Sequence, residues 1–474
     1  MSEDHLGVDL SAIEAAAEDL LAEFGIACHL PPVAADKCGK AGLVVTADRV
    51  RFPVPLVMEL LAGAPVRFTH VARDKQRSLK VSASMAAFGP AMIANHIWHG
   101  PVRRVMTAAD AAQFVAVAND APGLDYGASS LGLLASDGTS RLTAFLHASN
   151  RPLIVPSRMP FHARDLIAAT REGAARDDRS CRLLIVAGIE SALTLDDTFV
   201  EALTETAEHA QGLVVSPTLL IGANAPATLE GALVRFTAEA MAGVALTQVL
   251  CPGQPVAVGA MVTEVSMRNG LPIVGSANSL QVLGAAIAMA RRWNLAFYAC
   301  GPATNSKGVD ALGTAETSRW LTAAHYLGAN AILGAIGAVD LDDGVSIDKL
   351  IVDAEVAAVL GKPRMRVDDN AATELLNAGP GGYFLGTEAA KELAHQQALP
   401  QLASNSLFES WAAASHPELN HAIAAIIART APVALPNETA ILSAPPLDRR
   451  PTNLADLAST IYSRSIRDAF GFGG

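Results

Sequence analysis

The chain has 474 residues, 51% of them hydrophobic and 17% charged, with a net charge of −12 at pH 7. That length accommodates two or three domains, or one large α/β barrel with additions, and the composition supports a sizeable core and excludes a disordered chain. No basic stripe offsets the acidic balance, so nucleic acid is not an expected partner.

In chain order, Met1 to Leu10 is polar and acidic, unlike a signal peptide. Leu10 to Phe24 has the period of an amphipathic helix, with Asp9 or Ser11 to cap it and Gly25 to end it. An irregular stretch rich in Pro and Gly runs to about Pro101, with strands expected at Val66 to Val71 and Leu79 to Ala83. His96 and His99 flank Trp98 at a spacing found in metal sites, but no carboxylate or Cys is close in sequence, so packing or hydrogen bonding at a seam is expected and no metal.

From Thr107 the pattern alternates. Helices are predicted at Ala108 to Val117, Ala163 to Arg176, Asp196 to Ala210, Leu229 to Gln248 and from Ser346 onward. Apolar strands are predicted at Tyr126 to Ser130, Leu153 to Val155, Leu183 to Gly188, Leu213 to Ser216, Pro255 to Ala260, Pro272 to Gly275, Ala296 to Cys300 and Ala331 to Gly337. Strands and helices in that number predict an α/β fold, a TIM-type (β/α)8 barrel over residues 106–385. No GxGxxG follows an early strand, which disfavours an open dinucleotide-binding sheet. Residues 1–105 form an expected mixed α/β cap, and residues 386–474 a helical extension with a proline-rich wrap. The uncharged runs Ala240 to Thr263 and Leu271 to Ala290 contain Gln248, Gln254, Asn278 and Gln281, too polar for a membrane span, and read as buried elements. Cys28, Cys38, Cys181, Cys251 and Cys300 form no CxxC pair, so a reducing cytoplasm is the expected location.

Residues 296–330 concentrate the chemistry. An apolar run from Ala296 to Cys300 stops at Gly301-Pro302, and Thr304, Asn305, Ser306, Lys307 and Asp310 follow before a helical pattern containing Glu316. This polarity belongs in a loop at the C-terminal end of a strand, where parallel α/β folds place their chemistry.

Several motifs, in order, resemble the trimethylamine methyltransferase family, including its non-pyrrolysine branch that demethylates quaternary amines such as glycine betaine. They are Gly222 to Glu239, Gln248 to Pro255, Asn305 to Glu316, Gly328 to Asn330, Val352 to Glu355 and Gly379 to Leu385, with a weaker match at Gly100 to Asp110. The resemblance implies a barrel enzyme, forming a homo-oligomer, that passes a methyl group from a small amine to the cobalt of a separate corrinoid protein. The chain itself would hold no permanent cofactor. The family's trimethylamine branch carries pyrrolysine near residues 296–330, and no such residue stands here. Leu312, Ala315, Tyr383, Ala389 and Ala390 also depart from the family pattern, which implies a changed substrate or acceptor.

A quaternary ammonium has no N–H to donate, so aromatic faces and carboxylates are its natural holders. With the nucleophile on the partner's cofactor, the protein supplies position and electrostatics. The expected catalytic group is Asp310, Glu316 and Asn305. The expected substrate-binding group is Tyr298, Tyr383, Ser306, Lys307, Glu239 and Gln248. Gly381 and Gly382 would allow close approach of the corrinoid. Glu239, in an apolar helix, is expected either to pair with an Arg or to face the pocket, and Lys307 to pair with Asp310. The competing readings are a non-catalytic betaine- or amine-binding relative and a barrel lyase using Lys307.

Overall fold

The computed structural model describes residues 7–92, 94–100, 102–127, 148–157, 162–171, 178–301, 304–341, 343–361, 371–396, 402, 408–413 and 419–431. The predicted strand Tyr126 to Ser130, the end of the helix predicted to Arg176, and the proline-rich wrap lie wholly or partly outside these residues.

The N-terminal part is a small α/β cap. Helix α1 (Leu10–Glu23) starts where the Asp9 carboxylate accepts the amides of Ser11 and Ala12. Strand β1 (Ile26–Ala27), α2 (Pro32–Lys40), β2 (Val44–Val45), β3 (Arg49–Arg51) and α3 (Val54–Ala62) follow, and the strands form an antiparallel sheet in the order β1-β3-β2. Next come β4 (Arg67–His70) and β5 (Leu79–Ser82), an antiparallel hairpin.

The remaining elements build the main body. They are β6 (Ala87–Pro90), β7 (His96–His99), β8 (Val102–Val105), α4 (Ala108–Asp120), β9 (Leu153–Pro156), α5 (Ala163–Thr170), β10 (Leu183–Ile189), α6 (Asp197–His209), β11 (Gly212–Ile221), α7 (Leu229–Leu250) and β12 (Val256–Val265). After these come β13 (Pro272–Ile273), α8 (Ala277–Arg292), β14 (Phe297–Cys300), α9 (Ala311–Leu327), β15 (Ala331–Ile336), β16 (Ala338–Val339), β17 (Gly344–Val345) and α10 (Ile347–Leu360). Four helices end the described chain: α11 (Ala371–Ala378), α12 (Glu388–Gln396), α13 (Phe408–Ala413) and α14 (Leu419–Arg429).

The main sheet runs β6-β15-β14-β12-β11-β10-β9, and every neighbouring pair in that path is parallel. The first strand lies beside the last, so the sheet curls around on itself. Residues Asp125 to Gly127 touch both edges. The Asp125 and Tyr126 amides donate to the Phe88 carbonyl at 2.8 and 3.1 Å, and the Gly127 amide donates to the Pro152 carbonyl at 3.1 Å.

One predicted strand changes role, and one strand of the sheet was not predicted. Pro272 to Gly275, expected as a barrel strand, pairs antiparallel with the end of β12 as the short β13. Ala87 to Pro90, placed by sequence inside the cap, is instead a strand of the parallel sheet beside β15. Its Ala-Phe-Gly-Pro sequence has no β-branched residue to mark it.

Side-chain alternation gives the sheet two faces. The outward face packs on the helices in the larger core, which includes Ile185, Val215, Val258, Phe297 and Ile332. The inward face holds a smaller cluster that includes Tyr126, Leu184, Val186, Val214, Ala257, Tyr298, Cys300 and Leu333. Phe68, Leu79 and Val81 of the β4–β5 hairpin belong to that cluster, and Val71 donates its amide to Cys181, just before β10 begins. The hairpin therefore plugs the N-terminal ends of the strands. Helix α7 is long and apolar enough to cross a membrane, but 89% of its most apolar window is buried, with α1, α2, α3 and α8 packed against it.

Candidate active site

With the N-terminal ends plugged, the loops at the C-terminal ends of the strands are left to form a mouth. Backbone strain concentrates there. Of the five non-glycine residues with positive φ among those described, Leu193 (φ 51), Asp340 (φ 52) and Leu341 (φ 54) lie in loops that follow β10 or β15. L-residues with a Cβ avoid this region unless their surroundings fix them.

The loop after β14 is built from its own polar side chains. Thr304 donates its hydroxyl to Glu316 at 2.5 Å, and the Asn305 amide donates to the same carboxylate oxygen at 2.9 Å. Thr304 is fully buried and Glu316 nearly so. Asp310 caps α9, accepting the Gly313 amide at 2.7 Å and the Ser306 hydroxyl at 2.8 Å. The Gly313 amide and Ser306 hydroxyl hold its carboxyl below the usual range. Asp340 and Leu341 donate their amides to the carbonyls of Ser306 and Thr304. Lys307 is ion-paired with Asp340, not with Asp310 as expected from sequence. Asp310 and Glu316 thus shape the loop, while the Asn305 side chain makes no hydrogen bond among the described residues.

A second buried pair lies beneath this loop. Lys349 donates to Thr317 at 2.7 Å and to Asp353 at 2.5 Å, and Asp353 also accepts the Gly337 amide at 2.9 Å. Burial pushes the Asp353 carboxyl up, against the pull of Lys349.

Across the mouth, Glu239 pairs with Arg235 at 2.8 Å, both buried within α7, the Arg pairing that was one of the two alternatives open in the sequence. Burial raises the Glu239 carboxyl to about 7 despite Arg235. Glu190 follows β10 directly. A Cβ placed on the inward-facing Gly188 would meet its Oε1 at 2.7 Å, so the carboxylate sits over the inner face of the strand. By the alternation that turns Val214 inward, Ser216 and Thr218 also face in, beside Gly259 and Met261. Sequence reasoning passed over Glu190, Ser216 and Thr218. The first acid after a predicted strand end was the signal available for Glu190.

Other predicted residues fall elsewhere. Tyr298 is inward but fully buried, its hydroxyl sharing a 2.8 Å bond with Tyr126, whose ring stands 5.8 Å from that of His70. These rings lie at the plugged end. Burial pushes the Tyr298 hydroxyl up and the His70 imidazole down to about 4. Gln248 is near the start of β12, at the end opposite the mouth, where it holds the turn through Gly253 and Gln254. Tyr383 is 88% exposed. Gly379 to Gly382 terminate α11, with Gly379 and Gly381 at φ 65 and 81 and open space beside both. No hydrogen bond or ring contact joins Tyr298 or Tyr383 to Asp310 or Glu316 among the described residues.

The β7–β8 hairpin completes the rim with β16 and β17. The fold brings the two His residues the carboxylates that sequence lacked: Asp343 lies 3.1 Å from His96, and Asp110 3.8 Å from His99. Arg103 and Arg104 engage the same two carboxylates, so these are ion-pair clusters. Val102, Val105, Met267, Ile273 and Leu312 are exposed apolar residues on loops, short strands and the first turn of α9 around the mouth.

A family model described as trimethylamine methyltransferase (MTTB) matches residues 3–433. The glycine betaine methyltransferase of Desulfitobacterium hafniense is 28% identical over 83% of this chain and 85% of its own length. The trimethylamine methyltransferase MttB of Methanosarcina barkeri is 25% identical over 78% of each chain. Among solved structures, the monomethylamine methyltransferase of Methanosarcina barkeri has a similar fold, with a TM-score of 0.52 at 12% identity, covering 76% of this chain and 78% of its own.

Proposed function

Because this chain belongs to the trimethylamine methyltransferase family, we propose that it transfers a methyl group from a small quaternary amine of the betaine type to the cobalt of a separate corrinoid protein. That it is a methyltransferase follows from the family and its named relatives. The donor class rests chiefly on one observation, the match to glycine betaine methyltransferase across most of both chains. We take the curled sheet to close as an eight-stranded barrel, with the segment beginning at Asp125 as its eighth strand. The hydrogen bonds from residues 125–127 to both edges support this.

In this reading the donor enters the mouth with its ammonium toward Glu190, whose carboxylate lies over the inner face of β10. A carboxylate is one of the holders a permanent cation requires, and its attraction grows where water is excluded. Ser216, Thr218 and the Asn305 amide are the polar groups available to a carboxylate on the donor. The corrinoid supplies the nucleophile when its carrier docks. The amine departs as a neutral base that keeps its lone pair, so no nucleophile from this chain is needed. The apolar residues Val102, Val105, Met267, Ile273 and Leu312 present a rim suited to the partner protein. Asp310 and Glu316 hold the loop that carries Asn305. A cytoplasmic location and a homo-oligomer remain part of the proposal.

A lyase mechanism through Lys307 fits less well. That ammonium is 65% exposed and ion-paired with Asp340, whereas Schiff-base lysines rely on a desolvated amine.

The test is methyl transfer from glycine betaine, with trimethylamine as the comparison donor, to reduced corrinoid protein or free cob(I)alamin. Betaine-dependent formation of methylcobalt and of the dimethylated product is expected. Absence of both with either acceptor refutes the proposal.

A further inference from the structure

Helix α7 and the two loops beside it contain a set of buried polar side chains that touch no reacting group yet converge on one strained turn. Leu193, in the loop between β10 and α6, has a φ of 51. Its amide donates to Glu239 Oε1 at 2.7 Å, and its carbonyl accepts the amide of Ala27 at 2.8 Å. The same Glu239 oxygen accepts Arg235 Nε at 2.8 Å. Arg235 continues the chain of contacts, donating from Nη1 to the Asn224 carbonyl at 2.7 Å and from Nη2 to the Ile189 carbonyl at 3.5 Å. Asn224 closes it. Its side chain donates to the carbonyls of Glu190 at 2.7 Å and Thr218 at 2.9 Å, and accepts the Leu220 amide at 2.7 Å.

Every bond in this set ends on backbone at the mouth or on another member of the set. The loops after β10 and β11 are clamped to each other and to α7, and the clamped segment includes Glu190 and Thr218. A leucine held in the left-handed region is disfavoured, so the loop keeps this shape only while its surroundings enforce it. A buried charge pair is a poor source of net stability compared with apolar packing of the same volume. Persistence of such a pair behind a strained loop therefore points to geometry as its role.

We infer that Arg235, Glu239 and Asn224 are positioning residues for methyl transfer, clamping the strained loop at 189–193 so that Glu190 and Thr218 are presented to the donor. The kinetic part of this inference rests on the proposed function; the structural part does not.

Glu239→Gln and Asn224→Ser separate the two. Each variant is compared with the parent by thermal melting, by amide hydrogen exchange of peptides spanning 189–195 and 220–225, and by steady-state transfer from glycine betaine to cob(I)alamin. The expected exchange at those two segments is faster by about tenfold or more, as follows from losing a hydrogen bond of typical charge-assisted strength. The expected kcat is lower by about tenfold to a hundredfold, the cost of misplacing a reacting geometry. Exchange in the β4–β5 hairpin stays at the parental rate. Should Glu239→Gln fail to fold, Asn224→Ser, which leaves the ion pair intact, carries the test. Faster exchange throughout the chain, or local loosening with kcat unchanged, overturns the positioning role. A parent that transfers no methyl group removes the proposed function, while the exchange data still decide whether the clamp exists.

Discussion

Replacing Lys349 by Met tests how the floor of the β14–α9 loop is held. In the parent, Lys349 and Asp353 are both fully buried. The ammonium bonds Asp353 and Thr317, and Asp353 bonds the Gly337 amide through Oδ2 while Oδ1 has no partner. Lys349→Met leaves a carboxylate with one backbone donor in a dry interior, and breaking such a pair costs about 3–5 kcal/mol. Adding Asp353→Leu to Lys349→Met removes the stranded charge and substitutes apolar packing, so most of that loss should return. The Gly337 amide then lacks its acceptor, which retains a cost of about 1–3 kcal/mol. Urea unfolding monitored by Trp fluorescence gives the comparison, because Trp320 lies in α9 three residues beyond Thr317. If the single variant loses less than about 1 kcal/mol, or the double variant is no more stable than the single, the pair does not carry the buried charge balance described here.

Gly301 packs its α-carbon against Trp320, with a Cβ there lying 2.5 Å from Cζ2, so Gly301→Ala should destabilise by about 1–3 kcal/mol in a thermal melt and displace the loop that follows. Thr304→Val removes a 2.5 Å bond to Glu316, and transfer should slow by about tenfold with the chain still folded by circular dichroism. Glu190→Gln should raise the KM for a cationic donor by about tenfold in steady-state transfer, as expected for the loss of one charge contact at the mouth. The Glu239 carboxyl, facing Arg235 and Glu190, rises from 4.5 to about 7, chiefly through burial. A folded-state value above the unfolded one adds stability below pH 4.5 that is lost as pH rises through 7. Relative to Glu239→Gln, the parent should therefore lose stability as pH rises across that window, read from urea midpoints at each pH.

Apolar runs such as Leu183 to Gly188 and Pro255 to Ala260 are legible because a strand buried on both faces needs little else, although the second strand continues to Val265 through Thr263 and Glu264, which the apolar pattern does not mark. Ala87 to Pro90 was not, since its status as a strand comes from β15 on one side and Asp125 on the other, contacts formed across distant sequence. The Pro272 stretch misled for the opposite reason: its apolar residues suit a strand, but two residues of antiparallel pairing extend β12 instead. At the mouth, the polarity of residues 304–310 was plain, yet their partners were not. Lys307 had Asp310 three residues away and found Asp340 across the loop. Tyr298 was placed on the right strand, but sequence alone does not tell which end of a barrel interior a side chain occupies. That depended on the β4–β5 hairpin, whose role as a plug is set by a bridge from His70 to Cys181.

That plug bears on the order of events in the proposed reaction. With Phe68, Leu79 and Val81 packed beneath Tyr126 and Tyr298, the chamber has a sealed floor. A small donor and a protein-sized acceptor must then share a single doorway. The donor has to be seated before the acceptor arrives, and the demethylated product waits until the acceptor withdraws. Compulsory-order kinetics, with product inhibition strongest when the acceptor is in excess, would be the signature of a blind chamber.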